Sequence, residues 1–170
     1  MLDKINISAN VEELKSEFGG MIWKMATNLV HGGKVNPTQF MDYTLGALFY
    51  RFISEDITDY CNMLMAEAGV ENPDFANMDD EKAAYAKDAI VNAKGFFIFP
   101  SQLFINVANN ARNNAELNTT LANNFRAIES SANGTPSEHD IKGLFNNFNT
   151  NDKGLGNTVL DRNALLTTLL

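Results

Sequence analysis

The stretch FMDYTLGALFYRFISEDI, Phe40–Ile57, decides how the chain is read. Its apolar residues Met41, Leu45, Leu48 and Phe52 recur at three- and four-residue spacing, with Phe49 and Ile53 widening the stripe. That period marks an α-helix with one face against a core. Ile57, Tyr60 and Leu64 extend the stripe less regularly. Upstream, NPTQ offers Asn36 as N-cap, Pro37 at the first helical position and Gln39 reaching back to the cap; proline loses nothing there because that N–H has no helical partner. Downstream, Gly69 and the ENPDFAN loop stop the element. The helix is therefore expected from Pro37 to about Glu67, roughly 40 to 45 Å at about 1.5 Å per residue. Leu45, Leu48, Phe49, Phe52 and Ile53 form its candidate core face, together with Trp23 from the preceding segment.

Other start and stop signals divide the remaining chain into helices. In the N-terminal segment, Asn10 and Glu13 form a capping pair, and Leu14, Phe18, Ile22, Met25 and Leu29 recur on one face before Gly32-Gly33. Gly19-Gly20 interrupts this segment, so it reads as one helix or as two shorter ones. DDEKAAYAKDAIVNAKG is a helix with acids in its first turn and Lys94 in its last, matching the helix dipole at both ends. GFFIFP, between Gly95 and Pro100, reads as a short extended segment threaded against a bundle, with a small strand as one form of it. SQLFINVANNAR and AELNTTLANNFRAIESSA are helices, the second with Leu117, Leu121, Phe125 and Ile128 on one face. LFNNFNTNDKGLGN is turn-rich, and a last helix starts near Thr158 with Leu160, Ala164, Leu165 and Leu169 as its stripe. That helix runs to Leu170 without a stop signal. A larger protein is therefore expected, with residues 1–157 as a helical domain and 158–170 as the start of a helix leading toward a further domain. The fold class is all-α: a helical bundle with a short extended segment near 96–99.

A chain of 170 residues is one domain by length and buries about two-thirds of the surface its unfolded form exposes. With 45% hydrophobic and 20% charged residues, it has ordinary globular composition. The single Cys61 excludes an intramolecular disulfide, and the N-terminus lacks the pattern of a secretory signal, so the cytoplasm is the expected compartment. FFIF, the longest aliphatic-aromatic run, is far shorter than the ~20 residues of a membrane helix. Net charge is −8, and residues 55–90 carry ten acids against Lys82 and Lys87. The remaining acids and bases cancel, eleven of each. A free-standing nucleic-acid binder shows a basic face, since phosphate contacts carry most of its affinity. The acidic segment instead reads as a solvated surface.

Catalytic chemistry is thinly represented. His31 and His139 are the only histidines and stand far apart, which leaves no zinc spacing with one cysteine. Cys61 reads as a small apolar filler. HGGK has no upstream P-loop glycine, and the lone GLG of Gly154–Gly156 is only a fragment of a nucleotide loop. Glu55-Asp56 and Asp79-Asp80 lie on charged faces, without the burial that tunes an acid and base pair. The 23 asparagines are expected on solvated faces and at caps.

The order of segments resembles the N-terminal helical domain of the M (modification) subunit of type I restriction-modification DNA methyltransferases. The resemblance rests on GGMIWKMATNLVHGGKVNPTQFMDYTLGALFYRFISED, where Trp23, Asp42-Tyr43, Leu45-Gly46, Phe49, Arg51-Phe52-Ile53-Ser54 and Glu55 match the family pattern. It continues in FFIFPSQLF and in LFNNFNTNDKGLGNTVLDRNALLTTLL, so it covers essentially the whole chain. Such subunits transfer a methyl group from S-adenosylmethionine to adenine N6, on a base extruded from the duplex. They use a glycine-rich cofactor motif and an Asn-Pro-Pro-Tyr/Phe motif. Neither occurs in these 170 residues, where no two prolines are adjacent. The resemblance therefore implies a non-catalytic domain with no cofactor, metal or catalytic residue of its own, S-adenosylmethionine belonging to the parent subunit.

The partners implied are a second M subunit, the specificity (S) and restriction (R) subunits, and double-stranded DNA, with no membrane. Subunit assembly and closure around DNA are the implied roles. Lys24, Lys34, Arg112 and Arg126, all outside the acidic segment, are the candidate DNA contacts, while Arg51 reads as structural with its stem along the stripe. Two other readings stay open: a self-contained all-α adaptor for protein partners, and a small enzyme with an unrecognised site.

Overall fold

The computed structural model describes residues 37–170. The Asn36 cap, Trp23, His31, Lys24, Lys34 and the amphipathic segment ending at Gly32-Gly33 lie outside the described residues. Among the described residues seven α-helices follow one another: α1 (Pro37–Glu67), α2 (Asp80–Ala84), α3 (Lys87–Lys94), α4 (Phe104–Asn110), α5 (Leu117–Ser131), α6 (Glu138–Ile141) and α7 (Val159–Leu169). Single 3₁₀ turns at Phe75–Asn77, Pro100–Gln102 and Ala111–Asn113 link them. Among the described residues there is no strand, and the expected all-α bundle is what forms.

The long helix α1 carries two apolar stripes. Tyr43, Ala47, Tyr50, Ile57 and Cys61 are buried, with Ser54 on the same line. Their alternating four- and three-residue spacing is that of a helix seam. Met41, Leu45 and Phe52, two positions earlier in the same rhythm, lie about 200° away at 3.6 residues per turn. They are exposed, and so is Phe49 beside them. The expected core face is thus corrected: Ile53 is buried and Leu48 half-buried, whereas Leu45, Phe49 and Phe52 face outward. A helix apolar on two sides gives two equally periodic stripes, and periodicity alone does not say which one meets the core.

The core gathers around Tyr50. Its ring meets Phe104, Phe125 and Phe145 edge-on, with centroids 5.5, 5.3 and 6.3 Å away, and Phe125 stacks on Phe145 at 4.1 Å. Such pairs add to the area term of burial. Gly46 lets the turn-rich segment approach α1, because a Cβ there would sit 3.1 Å from Phe148. The extended segment 96–99 behaves as expected: Phe96, Phe97 and Ile98 are buried, and Ser131 ties it to α5 by accepting from the Phe97 N–H at 2.9 Å.

Two helices differ from expectation. The acidic helix divides into α2 and α3, because the amides of Tyr85 and Ala86 bond carbonyls three residues back. Asp80 is tied to Ser101 and Lys94 to Asp56, so the two ends answer to different elements and the break falls at the exposed Tyr85. The last helix starts where expected, with Thr158 and Asp161 forming a reciprocal cap. Its buried face is Asn163, Leu166 and Leu169, while Leu160 and Ala164 are exposed. Leu169 is only 1% exposed, so this helix does not end on bare leucines.

Candidate functional site

One groove stands out on this scaffold. It has a volume of about 870 Å³ and runs between α1, α4 and the end of α7. Arg51, Glu55 and Asp59 recur every fourth residue and so form one wall. Phe104, Ile105 and Arg112 form the other, and Leu170 closes one end. Ser54 sets this geometry. Helix α4 begins after Leu103, which has no side chain able to cap it. The Ser54 hydroxyl on α1 accepts the Phe104 N–H at 3.1 Å, satisfying one of the orphan donors at that helix start.

The Arg51 Nε donates to Glu55 Oε1 at 2.7 Å, and its guanidinium carbon lies 6.0 Å from the Phe104 ring centroid. Arg51 is thus an amphipathic cover, its cation shared between a carboxylate and an aromatic face. The groove holds two guanidinium groups, two carboxylates and an apolar floor at Leu103. Its hydroxyls are already committed: Thr58 Oγ1 donates to the Ser54 carbonyl at 2.8 Å. This arrangement presents mixed charge over an apolar floor, and the hydroxyls of Ser54 and Thr58 that line it are tied up in hydrogen bonds.

The buried ionisable groups point the same way. Burial pushes the Cys61 thiol up to about 11, so it is held protonated, as suits a filler. Burial also raises the Tyr50 hydroxyl, and burial with Asp152 and Asp42 nearby raises Tyr43 to about 12. Among the described residues no three His, Cys, Asp or Glu side chains cluster as a metal site, and no helix is long and apolar enough to cross a membrane.

Of the four candidate DNA contacts, the two among the described residues are not brought together. Arg112 lines the groove, while Arg126 on α5 lines a separate shallow depression with Glu129. Arg126 is held by its own helix, donating to the Ala122 carbonyl at 3.1 Å and to Asn123 Oδ1 at 2.9 Å. Lys24 and Lys34 lie outside the described residues. The acidic segment proves partly structural: Asp80 accepts from the Ser101 N–H at 2.9 Å, Asp74 caps a 3₁₀ turn, and Asp56 pairs with Lys94 at 2.7 Å. The asparagines also depart from expectation. Asn118, Asn124 and Asn163 are buried and bridge elements, and Asn106 holds the carbonyls of Ala76 and Pro100. Sequence reasoning missed the groove because its arginines are 61 positions apart. Its only local signal was Arg51 inside the apolar FYRF with Glu55 one turn on.

Comparison with known proteins places this arrangement. The family described as the HsdM N-terminal domain matches residues 18–170. The chain belongs to that family. It is also 41% identical over 158 residues to the type I restriction enzyme MpnII methylase subunit of Mycoplasma pneumoniae, an alignment covering 88% of this chain. It spans 28% of that relative's length. No solved structure matches. Within the HsdM N-terminal domain, the FYRFISED stretch is thus the fourth to sixth turns of α1, where Arg51, Ser54 and Glu55 build the groove.

Proposed function

We propose that this chain is the non-catalytic N-terminal portion of a type I adenine-N6 methyltransferase M subunit, acting in subunit assembly and in closure around DNA. The observation that carries the reading is a family match over residues 18–170, on a helical scaffold whose groove offers paired charges and an apolar floor. Such a surface suits contact with a second M subunit, the S subunit or the R subunit. S-adenosylmethionine and the methyl transfer belong to the rest of the parent subunit, working in the cytoplasm. Double-stranded DNA is met in the assembled complex, with Lys24, Lys34, Arg112 and Arg126 as backbone contacts. The net charge of −8 fits a domain that needs its partners to hold DNA.

The test is the charge-reversed variant K24E/K34E/R112E/R126E in the reconstituted complex. DNA affinity should fall, and the slope of log affinity against log salt should drop by about one per phosphate contact removed. Unchanged affinity and slope would remove the DNA contacts. An unchanged yield of complex for Arg51→Glu with Arg112→Glu would remove the groove from assembly.

A further inference from the structure

A second, smaller hollow opens where the acidic helix divides. It has a volume of about 260 Å³ and lies between the end of α1, the 3₁₀ turn Phe75–Asn77 and the junction of α2 with α3. Cys61, Phe75 and Ile90, all buried, form its floor, and Met65 and Met78 stand in its walls. Burial keeps the Cys61 thiol protonated, so no charge interrupts that floor. Methionine walls adapt to the shape of an inserted side chain. Tyr85 stands at the mouth, 93% exposed, with no aromatic or cationic neighbour to its ring among the described residues. Tyrosine beside an apolar pocket is the residue type that anchors protein interfaces.

The charge around the hollow selects what fills it. Lys82 is the one cation lining it among the described residues, and Asp79 already answers that charge at 3.3 Å. Glu67 follows Leu64, another lining residue, by three positions, and Glu81 precedes Tyr85 by four. Each carboxylate therefore sits one helical turn from the hollow. Both are exposed, and no described cation pairs with either. They belong to the segment 55–90, whose ten acids against two lysines hold the chain's entire negative excess. Such a field repels the phosphates of nucleic acids and lipid headgroups and attracts lysine and arginine. The volume falls below the roughly 300–1,000 Å³ of pockets for drug-sized ligands and cofactors. It suits one large aliphatic or aromatic side chain. We infer that the hollow beside Tyr85 is a docking site for a basic segment of a partner protein, which inserts one apolar side chain and sets lysines or arginines against Glu67 and Glu81. No residue lines both this hollow and the larger groove, and the inference stands independently of the proposed function.

The probe is a fluorescein-labelled, amidated twelve-residue peptide with one central leucine among lysines and alanines, titrated into the full chain and followed by fluorescence anisotropy. It should bind in the micromolar range. Replacing its leucine by alanine leaves the protein untouched and should weaken binding at least fivefold. Ala86→Phe, which grows a ring from the exposed lip across the hollow, should weaken it at least tenfold, as should Tyr85→Ala. Glu67→Gln with Glu81→Gln should weaken it about tenfold at low salt and flatten its salt dependence. All four positions are exposed, so unfolding midpoints should stay at the wild-type value. Equal affinity for the leucine and alanine peptides would leave charge alone and overturn the docking site. So would equal binding of a peptide with glutamates for its lysines, no binding of the leucine peptide at millimolar concentration, or undiminished binding in Ala86→Phe or in the double glutamine variant. Dimerisation of the full chain that Ala86→Phe abolishes would assign the hollow to a second copy and overturn the inference likewise.

Discussion

The Tyr50 hydroxyl donates to the Gln102 main-chain carbonyl, joining the middle of α1 to the turn that leads into α4. The same ring touches three phenylalanines from α4, α5 and the turn-rich segment. Two kinds of link meet at one residue, and they separate by substitution. Tyr50→Phe keeps the ring and leaves the buried carbonyl without its donor, which costs about 1 to 3 kcal/mol. Tyr50→Ala empties the centre of the core and costs about 3 to 5 kcal/mol. Urea unfolding should give midpoints in that order with unchanged m-values; equal losses for the two variants would mean that the ring contributes nothing.

Burial of the same hydroxyl gives the domain an alkaline limit. The folded state holds Tyr43 and Tyr50 protonated above the ordinary tyrosine value of 10.0, with Tyr43 raised to about 12, and holds Cys61 protonated up to about 11 against 9.0. Between the unfolded and folded values the unfolded chain binds fewer protons, so stability falls as pH rises. The loss should begin near pH 9 through Cys61 and steepen between about pH 10 and 12 through the tyrosines. Denaturation midpoints at pH 8, 10 and 11 test this. The double variant Tyr43→Phe with Tyr50→Phe should flatten the upper part of the curve, and an equally steep fall in that variant would place the alkaline sensitivity elsewhere.

The helices were legible where a cap or a glycine stood beside a regular stripe. Pro37 and Gly69 bracket α1, Thr158 opens α7, and the four apolar residues expected on α5 are all buried, beside Asn118 and Asn124. What the pattern hid was direction. The stripe containing Leu45, Phe49 and Phe52 has the same period as the one containing Tyr43, Ala47 and Tyr50, and tyrosine reads as less apolar although its ring fills the centre. On α7, Asn163 turns the helix by hydrogen bonding, a cause invisible to hydropathy. The groove was hidden for a third reason, since Arg51 and Arg112 meet only through the packing of α1 on α4.

Asn163 therefore merits its own test. Its Oδ1 accepts the Asn118 N–H at 2.9 Å, and its Nδ2 donates to the Ala115 carbonyl at 2.6 Å, so one amide satisfies two groups at the start of α5. Asn163→Leu has similar volume and leaves both without a partner, costing about 2 to 4 kcal/mol. Amide exchange should rise first at Leu117–Thr120. A variant as stable as wild type would mean that water replaces the asparagine.

Gly95 offers the sharpest separation of two costs. It follows α3 with φ of 83°, and a Cβ there would lie 2.0 Å from Ser137 Oγ. Gly95→Ala therefore meets two penalties: about 1 to 2 kcal/mol for a left-handed alanine and a further clash with the loop before α6. Ser137→Gly removes the obstructing side chain and leaves the dihedral unchanged, while its own N–H still donates to Thr135 Oγ1. Gly95→Ala alone should lose about 2 to 4 kcal/mol, and adding Ser137→Gly should return the clash portion, leaving about 1 to 2 kcal/mol. A double-mutant cycle by thermal unfolding measures the coupling. Strict additivity would show that the loop moves aside freely and that backbone conformation alone keeps glycine at this position.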